Sequence, residues 1–168
     1  MNRERLHIMA TILDEAHVGT WRATQIPGYG SDVSSSFLEG WQEIFESPVG
    51  FHLGTWGGED YSDAYTDYHH CGFTACAVGH AILDERLPQL ITRDYDFDLV
   101  PMYGDETQWA AVASFFGITE EQANHLFSEQ AYPPYNADED KEHRAVSPNE
   151  VAIRIHQLLA EDPAHAEV

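Results

Sequence analysis

From Tyr68 to His80 the chain reads Tyr-His-His-Cys-Gly-Phe-Thr-Ala-Cys-Ala-Val-Gly-His, which places both cysteines and three of the ten histidines within thirteen residues. Thiols and imidazoles so close together suggest two chemistries. A metal site would draw on His70, Cys71, Cys76 and His80, because soft thiolates and imidazoles at tetrahedral positions suit zinc. The framework argues against it: Cys71 and Cys76 enclose four residues, the upper end of the range for a zinc-ligand pair, and the chain has no second cysteine pair. A nucleophilic site would place Cys71 just ahead of a helix, where the dipole lowers a thiol pKa, with His70 as the base. Against both stands a third reading, in which the thiols are small apolar core residues and Gly72 and Gly79 admit a neighbouring backbone. The third is favoured, with no metal and no cofactor expected. On it, Cys76→Ser would destabilise by roughly 1–3 kcal/mol if the hydroxyl found no partner.

Just upstream, Asp60, Tyr61, Asp63, Tyr65, Asp67 and Tyr68 intersperse carboxylates with tyrosines. Tyrosine covers area at low entropic cost, so this stretch is the candidate binding surface. Asp94, Asp96 and Asp98 have the alternation of half a calcium loop, yet Leu99 stands where that loop needs glycine and Asp105 where it needs glutamate. An extended, water-facing segment is the expectation there.

Charge narrows the function classes. The 29 acidic residues against 8 basic ones leave a net charge of -21. Lys141 is the lone lysine and the arginines are scattered, so no basic patch is available to neutralise phosphates. Direct contact with nucleic acid or an anionic membrane is not expected. Spaced carboxylates instead suit a basic protein groove, where they compete with nucleic acid and speed encounter by electrostatic steering.

The elements that must position these groups read as mostly helical. Leu6, Met9, Ala10, Leu13 and Ala16 recur at helical spacing, and Gly19 is placed to stop that helix. Ser34 to Ser36 can cap a helix carrying Phe37, Leu38, Trp41, Ile44 and Phe45, which Ser47-Pro48 ends. Val49 to Trp56 reads as extended. A further helix is expected from about Thr74 to Arg86, stopping before Pro88. Asp105 and Thr107 can start another, with Trp109, Val112, Ala113 and Phe116 as its buried stripe, closed by Gly117. Thr119-Glu-Glu-Gln122 and Ser147-Pro-Asn-Glu150 are capping boxes that open the last two helices. Between them, 132–146 reads as an acidic surface loop.

Ala113, Gly117, Ile118, Ala123 and Leu126 also fit helix-turn-helix spacing, but the second helix would present glutamates to phosphate, so a packing hairpin is the better reading. The length and 43% hydrophobic content suit one globular domain, 1–168, burying roughly two-thirds of its unfolded surface. The expected fold is a mostly α, compact single domain of about six helices with a short extended element near residues 49–56. No apolar run nears the roughly 18 residues of a membrane span.

The run Cys71-Gly72-Phe73-Thr74-Ala75-Cys76-Ala77-Val78-Gly79-His80, the Phe-Phe-Gly-Ile-Thr-Glu-Glu-Gln-Ala segment and the Ser-Pro-Asn-Glu-Val helix resemble a group of small bacteriophage and bacterial proteins. Those carry Cys-Gly-Thr, a second cysteine, then Gly-Trp; Phe73 and His80 depart from that pattern. The resemblance extends from Phe51 to Leu159 and implies a phage-type accessory gene product, without an activity to transfer. The combined reading is a soluble, acidic binding protein of the cytoplasm, that of the host if phage-encoded, which inhibits or modulates a basic host protein of nucleic-acid handling or defence. The alternative is a cysteine- or metal-dependent enzyme centred on Cys71.

Overall fold

A computed structural model gives the fold and describes residues 1–25, 50–51, 58–59, 73–92, 100–132 and 146–161. They form five α-helices: α1 (Arg3–His17), α2 (Ala77–Ile82), α3 (Gln108–Phe116), α4 (Glu120–Phe127) and α5 (Pro148–Glu161). The strands are short: β1 (Gly50–Phe51), β2 (Gly58–Glu59), β3 (Phe73–Ala75), β4 (Ile91–Thr92), β5 (Pro101–Tyr103) and β6 (Glu106–Thr107). The described part is therefore mostly helical, as its periodicity implies, and β1 falls inside the expected extended element. The helix expected after Ser34 and all but Tyr132 and Val146 of the expected loop at 132–146 lie outside the described residues, as do Asp94, Asp96 and Asp98.

Local chemistry accounts for most helix boundaries. The Asn2 side chain caps α1 by accepting from the Arg5 amide at 3.1 Å, and Gly19, at φ +73°, donates to the Ala16 carbonyl beyond its end. Both capping boxes form. Thr119 Oγ1 accepts from the Gln122 amide at 3.1 Å while Gln122 Oε1 accepts from the Thr119 amide at 3.0 Å. Ser147 and Glu150 exchange the same pair of bonds at 3.4 and 3.0 Å.

The segment around Cys76 departs from expectation. The helix expected from Thr74 to Arg86 covers only Ala77–Ile82, because Phe73–Ala75 is the middle strand of a sheet ordered β1-β3-β2. Strand β3 runs parallel to β1, pairing Thr74 with Gly50, and antiparallel to β2, pairing Thr74 with Gly58. Beyond Ile82 the chain turns through Asp84 and Leu87 into β4, the edge of an antiparallel meander ordered β4-β5-β6. Strands of two or three residues are too short to show an alternating pattern, so the second sheet carries no sequence signal.

The core forms where α1 lies along α5 and α3 packs on β5 and α4. Leu6, Met9, Ile12 and Leu13 of α1 are fully buried with Val151 and Ile155 of α5. Phe115, Phe116 and Phe127 form its aromatic centre, Phe115 and Phe116 edge-to-face with centroids 4.9 Å apart. Trp109, expected in the buried stripe of α3, is only half-buried and packs at the margin, while Phe115 takes the deep position. The α3–α4 hairpin turns at Gly117 with φ +62°, and its outward face carries Glu120, Glu121 and His125.

Gly117 is doubly constrained: a Cβ there would lie 3.1 Å from the Asn2 nitrogen, in a left-handed backbone. Gly117→Ala should cost about 1–2 kcal/mol, seen as a lower denaturant midpoint at unchanged slope. Equal midpoints would show that the turn relaxes freely.

Candidate functional site

Cys76 and His80 are the two members of the cysteine–histidine cluster whose surroundings the structure describes, and both are buried. The sequence explains Cys76: it is the N-cap of α2, extended at φ -73° and ψ -178°, and its Sγ accepts from the Gly79 amide at 3.4 Å. Burial pushes its thiol up to about 12, despite opposing hydrogen bonds from the Gly79, Val78 and Cys76 amides. A thiolate nucleophile needs the reverse shift. Cys76 is thus engaged as the cap of a short helix.

His80, one turn on, places Nδ1 3.0 Å from the Cys76 carbonyl oxygen. A carbonyl only accepts, so Nδ1 is assigned the proton and Nε2 holds the lone pair in the neutral ring. The imidazole leans on Trp21, centroids 4.5 Å apart at 42°. His80 Nδ1 thus engages the backbone oxygen of Cys76.

Trp21 connects this corner to a charged network. Its Nε1 donates to Asp84 Oδ2 at 2.8 Å. Asp84, a carboxylate only 1% exposed, also accepts from Arg86: Nε to Oδ1 at 2.8 Å, Nη2 to Oδ2 at 2.7 Å and the amide to Oδ1 at 2.9 Å. Arg86 then reaches α1, where Nη1 and Nη2 meet the two Glu15 oxygens at 3.0 and 2.7 Å. Burial alone would raise the Asp84 pKa, but the Arg86 hydrogen bonds, the Trp21 indole and the guanidinium charge outweigh it and hold it below the ordinary value. Its hydrogen bonds to Asp84 and Glu15 in turn raise Arg86 further above its usual range. Backbone bonds finish the joint, as Thr24 and Gln25 donate to the Leu83 carbonyl and Thr24 Oγ1 accepts from the Glu85 amide.

Sequence reasoning misses this network because its members lie 63 and 71 residues apart. A buried carboxylate with every contact satisfied by its own fold has no lone pair aimed at a substrate. The network is a fastening. Among the described residues, no group of three or more His, Cys, Asp or Glu side chains gathers as a metal site would require. His70 and Cys71, the candidate base and nucleophile, and Asp60, Tyr61, Asp63, Tyr65, Asp67 and Tyr68, the candidate binding surface, lie outside the described residues.

Two outcomes follow. Cys76 should resist iodoacetamide at neutral pH until the protein unfolds, and Cys76→Ser should cost under about 1 kcal/mol, because the hydroxyl inherits the Gly79 amide as a good N-cap. That revises the larger loss expected for an unpartnered hydroxyl; rapid native labelling at Cys76 would refute the assignment. Asp84, its folded pKa depressed, contributes stability that is complete above its unfolded value of about 4 and is lost as pH falls through the folded value. Asp84→Asn should therefore lower stability by roughly 2 kcal/mol at pH 7, and the gap should narrow in denaturation curves taken below pH 4. A gap independent of pH would show that the charge is not what matters.

Comparison with known protein families, with curated proteins and with solved structures found no match, so the reading of the site stands on its own residues.

Proposed function

We propose that the chain is an acidic binding protein of the phage accessory type, which occupies the basic groove of a nucleic-acid-handling or defence protein and inhibits or modulates it. The observation that carries this reading is the direction in which charge is turned. Arg5 donates to the Phe115 carbonyl at 2.7 Å and to Gln89 Oε1. Arg22 donates to the Gly19 and Trp21 carbonyls, Arg86 holds Asp84 and Glu15, and Arg154 donates to the His125 and Ala131 carbonyls at 2.7 Å. Glu4, Glu85, Asp105, Glu106, Glu120, Glu121 and Glu161, in contrast, are exposed. Among the described residues these four arginines bond within the fold, and these seven carboxylates face outward.

Such a surface repels phosphate and attracts what phosphate attracts. The acidic tyrosine stretch from Asp60 to Tyr68 extends the same character. The other reading, an enzyme centred on Cys71 with His70 as base, draws no support from Cys76, whose thiol is buried and engaged as a helix cap.

The full chain, immobilised, should capture a basic partner from host lysate at about 50 mM salt and release it near 500 mM, where the Debye length is a few ångströms. The partner should exchange for added DNA or RNA. Asparagine at Asp60, Asp63 and Asp67 should slow association, whereas Tyr61→Ala or Tyr65→Ala should shorten the lifetime of the complex. A complex indifferent to salt, or no basic partner at low salt, would overturn the proposal.

A further inference from the structure

We draw no further inference here: the strongest candidate, the pocket at the start of α1 lined by Arg3, Arg5, Tyr103 and Ser114, rests on a helix N-terminus whose Arg5 is already bonded to the Phe115 carbonyl and to Gln89, and nothing else among the described residues points to an anion there.

Discussion

Arg86 divides one guanidinium between Asp84 in the interior and Glu15 on α1, and the joint between α1, Trp21 and α2 depends on that division. A buried carboxylate left alone costs several kcal/mol, more than most single interactions return. Asp84 is tolerated because three groups donate to it, the indole of Trp21 and the side chain and amide of Arg86. The guanidinium is tolerated because its remaining donors meet a half-exposed glutamate. Arg5 and Arg154 work alike, each fastening two elements through carbonyl oxygens and an aromatic face: Arg5 lies 4.2 Å from the centre of the Phe115 ring and Arg154 3.6 Å from that of Tyr132. Arg5, Arg86 and Arg154 thus serve as fasteners between elements of the fold.

The signals that could be read in advance are those confined to one turn of helix. The Thr119–Gln122 and Ser147–Glu150 boxes, the stop at Gly19 and the turn at Gly117 each involve residues no more than four apart, and each forms as its sequence implies. The helix expected from Thr74 is longer than α2 because Thr74-Ala75-Cys76-Ala77 has no glycine or proline to mark a break, while pairing with β1 and β2 claims Phe73–Ala75. That pairing is tertiary. The contacts of Arg5 span 84 and 110 residues and those of Arg86 span 71; no local pattern encodes which carbonyl or carboxylate an arginine will find. Half of the thiol–imidazole cluster was open to judgement from composition alone: a cysteine between alanines, ahead of a short apolar helix, is suited to burial.

Cys76 also shows how one residue type reverses meaning with position. A thiol at a helix N-terminus is the usual setting of a lowered pKa, yet here the cap is sealed beneath the core and desolvation wins over the amide hydrogen bonds. His80 beside it is fixed by the Cys76 carbonyl and the Trp21 ring. In Cys76 and His80, proximity in sequence of thiol and imidazole closes a corner of the fold.

The pairing of α1 with α5 bears on how the chain is made. Helix α1 begins at Arg3 and its long partner at Pro148, so on a ribosome adding roughly 5–20 residues each second the two are synthesised on the order of ten seconds apart. Throughout that interval Leu6, Met9, Ile12 and Leu13 lack the surface that finally covers them. Contacts of such long sequence separation also slow folding once synthesis is done, because the loop must close before the helix face is covered. The packing of α1 on α5 therefore forms late, and the charge of -21 opposes association of copies in the meantime.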